Sequence, residues 1–126
     1  MNYNIGIIGL GVVGSAIYES LQEKKIELAG YDKYKNGGIG SLEECINCDI
    51  LFLCLPTPYS EKLNGYDLSP LDDIIDKLNL INYNGIVLVK STVTPGTTEN
   101  FAIKYPNLNF VHNPEFLTAR NAKYDF

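Results

Sequence analysis

Six residues, Gly9-Leu10-Gly11-Val12-Val13-Gly14, constrain this chain more than any other stretch. They follow an apolar run, Asn4 to Leu10, that reads as a buried strand. They lead into a helical pattern in which Val13, Ala16, Ile17 and Leu21 share one face and Glu19, Glu23 and Lys24 the other. Gly9 and Gly11 let the backbone turn tightly and come close to a ligand, and Gly14 lets the helix lie against the strand. The amides that open this helix, including those of Val12 and Val13, lack intrahelical partners and carry partial positive charge. A diphosphate is therefore held there without a basic side chain. Asp32 ends a second apolar stretch about 20 residues on, the position from which a carboxylate reaches an adenosine ribose. Such a carboxylate accepts both ribose hydroxyls and repels a 2′-phosphate, so the expected cofactor is NAD rather than NADP. Lys33 and Lys35 follow closely and are able to neutralise such a phosphate, so the preference is strong only where they point into solvent.

The rest of the chain alternates between the two periodicities. Ile26–Tyr31 reads as the second strand, Ser41 with Glu44 as a capping box opening a short helix through Ile46, and Ile50–Leu55 as a third strand apolar on both faces. Pro56-Thr57-Pro58 ends it, and a polar loop follows. Ser69 is the expected cap of a helix begun by Pro70, with Leu71, Ile74, Ile75 and Leu78 on one side and Asp72 and Asp73 at its positive end. Ile86–Lys90 is the fourth strand, Thr94-Pro95 opens a fourth helix running to about Tyr105, and Leu108–Val111 is a short fifth strand. The fold class this predicts is α/β: a Rossmann-like doubly wound parallel sheet of about five strands with helices on both faces. The expected strand order is three, two, one, four, five. Ligands then lie at the carboxyl edge where the first and fourth strands part, and four segments meet there: the glycine turn, Pro56-Thr57-Pro58, Ser91-Thr92 and Asn113-Pro114-Glu115.

Charge and cysteine content narrow the function classes. A formal charge of −5 with scattered lysines leaves no basic stripe for nucleic acid. The longest apolar run, Ile50–Leu55, is too short for a bilayer, and a secretion signal is absent from the N-terminus, so the expected location is cytoplasmic. Three cysteines argue against a disulfide framework. Cys45 and Cys48 form a C-x-x-C at the end of a predicted helix, where the dipole raises a thiol pKa and a second pair for a metal site is lacking, so both read as structural. Cys54 reads as a small core residue, and His112, the single histidine, as a packed or hydrogen-bonded strand end. No metal is expected.

Four stretches in this order carry a resemblance. Gly9-Leu10-Gly11-Val12-Val13-Gly14, Cys54-Leu55-Pro56-Thr57-Pro58, Lys90-Ser91-Thr92-Val93-Thr94-Pro95-Gly96-Thr97-Thr98 and Asn113-Pro114-Glu115-Phe116-Leu117 resemble the N-terminal domain of the UDP-glucose/GDP-mannose dehydrogenase family. The resemblance implies an NAD-dependent oxidation of the C6 alcohol of a nucleotide sugar to a carboxylate by two hydride transfers, with an intermediate aldehyde captured by a cysteine. It also implies roles for residues. Those matching Thr92 and Glu115 position a water near the reacting carbon, and the glutamate assists in hydrolysis. Thr57, beside Pro56, lies against the cofactor, as does Ser91 with Thr92, and Phe116-Leu117 present backbone to the sugar beside Glu115.

Departures from that family's pattern shape the expected activity. The stretch between Asp32 and Cys54 is shorter, and Ala119 stands where a second glutamate is common. The family's catalytic cysteine and lysine belong to a region beyond the one matched here, so residues 1–126 are expected to be an NAD-binding domain incomplete at its C-terminal end, without a second domain. On this reading the chain binds NAD without turnover. It meets a nucleotide sugar only when completed by a C-terminal half, and a homo-oligomer or partner chain covers its open sheet edge. The alternatives are a standalone dinucleotide-binding or regulatory module docking on a partner, and a small independent reductase.

Overall fold

A computed structural model describes residues 4–112, apart from 25, 34, 92, 94 and 95. The elements run β1 (Asn4–Ile8), α1 (Val12–Glu23), β2 (Glu27–Tyr31), a 3-10 turn (Lys35–Gly37), α2 (Leu42–Ile46), β3 (Ile50–Leu53), β4 (Tyr59–Ser60), β5 (Gly65–Tyr66), α3 (Ser69–Leu80), β6 (Ile86–Val89), α4 (Thr97–Lys104) and β7 (Asn109–His112). Five of the strands pair in parallel to form the predicted doubly wound sheet.

Their order is β2-β1-β3-β6-β7, which corrects the expected one. Counted along the main sheet it is two, one, three, four, five: the third strand lies beside the first, and does not flank the second. The hand of the crossovers explains this. A right-handed connection ties the face on which its helix lies to the direction in which the chain steps across the sheet. Helix α1 covers one face of β1 and β2, burying Ile5, Ile7, Leu10, Ile17 and Leu21 together. Helix α2 packs across β1 and β2 from the other face, where its Cys45 joins Ile8, Leu51, Leu53 and the apolar side of α3 in the larger core. With the face changed, the step must reverse. β3 therefore returns past β1, and α3 and α4 continue on the face of α2.

Gly6 permits the close seat of α2. A Cβ there would stand 2.5 Å from Leu51 Cδ2 and 3.3 Å from Cys48 Sγ. The two cysteines fill this seam as small apolar groups, and the Tyr83 hydroxyl donates to the Cys48 carbonyl at 2.7 Å.

Two helix starts differ in detail from expectation. Ser41 caps α2 as predicted, its Oγ accepting from the Glu44 amide at 3.3 Å. Ser69 is the first helical residue of α3 rather than its cap, because the Asp67 carboxylate accepts from both the amide (3.0 Å) and the hydroxyl of Ser69. Thr94 and Pro95, expected to open α4, lie outside the described residues; α4 starts at Thr97 behind Gly96, which has φ 88°. The loop after Pro58 contains the small antiparallel pair β4–β5, on which Tyr59 and Tyr66 meet edge to face. Among the described residues no helix is long and apolar enough to cross a membrane.

Candidate functional site

At the carboxyl edge the chain leaves β1 through Gly9, whose φ of 96° lies in the left-handed region. Its amide donates to the Tyr31 carbonyl at 2.8 Å, and a Cβ on it would stand 2.6 Å from the Cys54 carbonyl oxygen. The turn is thus pressed between the ends of β2 and β3. Gly14 is pressed from above: a Cβ there would lie 1.8 Å from the Gly9 oxygen. Gly11 differs, since a Cβ there would meet nothing within 4 Å. The space beside it is open, and a ligand can approach the backbone there.

Gly11 caps α1 without a side-chain bond, and the first turn of α1 has no acidic residue. The first-turn amides are therefore left for an anion, aided by the helix dipole. The Ser15 hydroxyl donates to the Leu10 carbonyl at 2.7 Å and steadies the turn. Asp32 is held from two sides, the Leu10 amide donating to Oδ2 at 2.8 Å and the Lys35 amide to Oδ1 at 2.9 Å. Lys35 is not directed into solvent. Its ammonium donates to the Leu10 carbonyl (2.6 Å) and to Ser15 Oγ (3.0 Å).

This turn opens into a cavity of about 830 Å³. Gly9, Gly11, Val12, Val13, Asp32 and Lys33 line one side, Pro56 and Thr57 the end of β3, and Ser91 the end of β6. Of the predicted cofactor residues described, all but Gly14 face the cavity, and Gly14 instead packs helix on strand. The site lies where β1 and β3 part, the switch point of the observed order, and not between the first and fourth strands as expected. Ser91 binds the edge together, its Oγ donating to the carbonyls of Leu55 (2.8 Å) and Leu53 (3.3 Å). Thr92, Glu115, Phe116 and Leu117, and also Ala119, lie outside the described residues. His112 ends β7, paired with Val89.

Several wall residues had only a helix or strand role, and none at a site, in the sequence reading. Ser69, Pro70, Asp73, Ile74 and Lys77 bring the start of α3 to the far wall, and Lys90, only 5% exposed, joins Ser91. The signal for Lys90 was available: a lysine ending an otherwise apolar strand is rarely buried without a polar site beside it. Cys54 lies in the cavity wall, and burial pushes its thiol up to about 12, against the opposing charge of Lys90. Cys45 is likewise pushed up to about 12 by burial and then by Cys48 and Glu44, and Cys48 is raised by burial and by Asp49. At neutral pH all three are thiols. Among the described residues no three His, Cys, Asp or Glu side chains gather as metal ligands would.

Comparison with known proteins decides the family. The profile described as "UDP-glucose/GDP-mannose dehydrogenase family, NAD binding domain" matches residues 39–126. The chain belongs to the UDP-glucose/GDP-mannose dehydrogenase family. A UDP-glucose 6-dehydrogenase of Campylobacter jejuni is 35% identical over 83 residues, which are 66% of this chain and 21% of the relative. One from Rickettsia prowazekii is 34% identical over 116 residues, 87% of this chain and 26% of the relative. The solved UDP-glucose dehydrogenase of the archaeon Pyrobaculum islandicum superposes with a TM-score of 0.79 at 23% identity, covering 99% of this chain and 38% of that one, a likeness of fold. The chain thus spans about a fifth to a quarter of the length of these curated relatives. This family's domain uses NAD, and the cradle fits it: an open backbone at Gly11, a first turn of α1 without a side-chain cap, and the Asp32 carboxylate in the cavity wall. The family match begins after the glycine turn and Asp32.

Proposed function

We propose that the chain is the cofactor-holding part of a nucleotide-sugar dehydrogenase that oxidises a C6 alcohol to a carboxylate, and that alone it binds NAD without turning over sugar. The observation that carries the proposal is the coupling of Asp32 to the glycine turn through the Leu10 amide, at the mouth of the cavity. NAD, when bound, supplies the hydride acceptor. The chain's own groups bind and orient it. The amides of Val12 and Val13 hold the diphosphate, Asp32 the adenosine ribose with Lys33 beside it, and Pro56, Thr57 and Ser91 form the wall toward the reacting end. In this reading Thr92 and Glu115 hold a water near the sugar carbon, and Phe116-Leu117 offer it backbone groups.

The absence of turnover rests on the thiols. Capture of an aldehyde needs a reactive cysteine, and the thiolate is the nucleophile. Cys45 and Cys48 are buried in the core, and Cys54 is held as a thiol, so this step requires a residue from outside residues 1–126. A second reading, a module that docks on a partner, is favoured by Ile86 and Val111, which are 41% and 46% exposed on the sheet face that α1 leaves open.

Isothermal calorimetry tests the first reading. NADH is expected to bind with measurable heat and raise the melting temperature, while NAD with UDP-glucose yields no NADH absorbance. Absence of both heat and thermal shift at millimolar NADH would refute it. Sedimentation tests the second, which a monomer at all concentrations and without partner would exclude.

A further inference from the structure

We propose that Asn36-Gly37 is a self-modification site, at which the chain deamidates in water and so loosens the loop that holds Asp32. The effect on the cofactor rests on the NAD reading above; the site itself does not. The chain contains Asn-Gly steps at Asn36, Asn64 and Asn84. Asn64 is held: its amide donates to the Glu61 carbonyl at 3.2 Å, its Oδ1 accepts from the Tyr59 hydroxyl at 3.4 Å, and Gly65 pairs with Ser60. At Asn84 the backbone is wedged, since a Cβ on Gly85 would stand 2.2 Å from the Tyr83 hydroxyl and 2.5 Å from the Asp49 carbonyl oxygen. Asn36 is exposed, with φ of 53° and ψ of 33°, and no described hydrogen bond holds its side chain. A Cβ on Gly37 would meet nothing within 4 Å, and Gly37 and Gly38 both have positive φ. Glycine takes either sign of φ at little cost, so the backbone rotation that the reaction requires is freest at this step.

The chemistry needs only water. The Gly37 amide nitrogen gives its proton to solvent base and bonds to Asn36 Cγ, and the Cγ–Nδ2 bond breaks to release ammonia. Water then opens the cyclic imide at either carbonyl, giving aspartate or isoaspartate. The sum is asparagine and water to a carboxylic acid and ammonia, with nothing oxidised or reduced. Both products add a negative charge, and isoaspartate also adds a methylene to the main chain. That loop mounts Asp32. Asp32 and Ile39 exchange backbone bonds of 3.0 and 2.8 Å, and the Gly38 amide donates to the Lys35 carbonyl at 2.9 Å. The Lys35 amide donates to Asp32 Oδ1, also at 2.9 Å. A longer main chain between those tied ends displaces the Lys35 amide, and the new charge repels the carboxylate it served. Losing one hydrogen bond to a charged group is worth about tenfold in affinity.

The test is ageing of the 126-residue chain in warm, mildly alkaline buffer, followed by peptide mass mapping, an isoaspartate assay and NADH titration. In the folded chain Asn36 is expected to convert well ahead of Asn64 and Asn84, whereas in urea the three convert at similar rates. NADH affinity is expected to fall by about tenfold as Asn36 converts. Asn36→Gly accepts the left-handed backbone and has no side-chain amide, and is expected to keep its affinity through the same ageing. Conversion of Asn36 no faster than that of Asn64 or Asn84 in the folded chain would overturn the site. An equal loss of affinity in aged Asn36→Gly would overturn its effect on the cofactor. Should Asn36→Gly fail to fold, ion exchange separates the aged parent into modified and unmodified chains, and equal NADH affinity of the two fractions has the same consequence. A fresh chain that binds no NADH refutes the NAD reading itself, while the peptide mapping still decides the site.

Discussion

Gly14 and Gly11 have the same residue type and lie three positions apart, yet the structure assigns them different work, and a pair of alanine substitutions separates the two. In Gly14→Ala the new Cβ lands 1.8 Å from the Gly9 oxygen and 2.9 Å from the Gly9 carbonyl carbon. Contacts under 3.0 Å are essentially never seen for real Cβ atoms, so α1 must lift from β1 by more than an ångström. The neighbour is backbone and cannot rotate away. The cost therefore lies at the upper end of overpacking, about 3 kcal/mol. Against a total stability on the order of 5–15 kcal/mol this lowers the melting temperature by roughly 10 °C. In Gly11→Ala the Cβ meets nothing, and φ of −73° suits alanine. The lower entropy of the unfolded chain offsets the poorer cap, and stability changes by less than about 1 kcal/mol. The methyl group does, however, occupy the approach to the first-turn amides, so NADH affinity falls by about tenfold or more. Urea unfolding gives the first quantity and NADH titration the second. Gly11→Ala that binds NADH like the parent would refute the placement of the diphosphate, and Gly14→Ala of parental stability would refute the packing account.

The other expectations concern the core and the edge. Tyr83→Phe leaves the buried Cys48 carbonyl without its 2.7 Å donor and should cost about 1–2 kcal/mol, read by urea unfolding; a neutral result would show that the carbonyl finds another partner. Burial raises the pKa values of Cys45 and Cys54 to about 12 and also that of Tyr83, so the folded state keeps protons that the unfolded chain releases from about pH 9 upward. Stability is then fully present below the unfolded values and declines as pH rises through the folded ones, and Cys45→Ala should flatten that decline in pH-dependent melts. At pH 7.5 Cys45 and Cys48, both buried, should react with a disulfide reagent only after unfolding; rapid labelling of either in the native chain would contradict its burial. Ser91→Ala removes the one hydroxyl donor that Leu55 and Leu53 share, and should cost about 1 kcal/mol and weaken NADH binding a few-fold in titration.

What could be read from the sequence was what a single segment decides. Ile50–Leu55 announced a strand covered on both faces because both are apolar, and the observed strand is Ile50–Leu53; Ser41 with Glu44 announced a cap because the two positions suffice for the bond. Strand order depends instead on how α2 meets β1, and its trace in the sequence is faint: a glycine at position 6, and a second strand, Glu-Leu-Ala-Gly-Tyr, poorer in large apolar groups than a central strand should be. β4–β5 escaped notice as a polar loop because its strands have two residues each, although Asn64-Gly65, with φ of 52° at Asn64, marked the turn. The engagement of Lys35 was illegible because its acceptors are a carbonyl and a hydroxyl 25 and 20 positions away, and side chains that seek backbone oxygens leave no paired charge to find.

The misplaced third strand nevertheless left the cavity at the carboxyl edge of the sheet, between β1 and β3 instead of beside the fourth strand. In a parallel sheet every strand delivers its carboxyl end to the same edge, so exchanging the neighbours of β1 alters which segment stands beside the glycine turn and leaves the edge itself unchanged. That neighbour is the end of β3: the Cys54 amide donates to the Ile8 carbonyl at 2.8 Å, and the Cys54 carbonyl is what confines Gly9. Pro56 and Thr57 thereby stand in the cavity wall beside the glycine turn, while Ser91, in the same wall one strand further out, also fastens β6 to the Leu53 and Leu55 carbonyls. A substitution at Thr57 should accordingly change cofactor affinity with little effect on stability, whereas one at Ser91 moves both together. Had the fourth strand adjoined β1, those two signatures would be reversed.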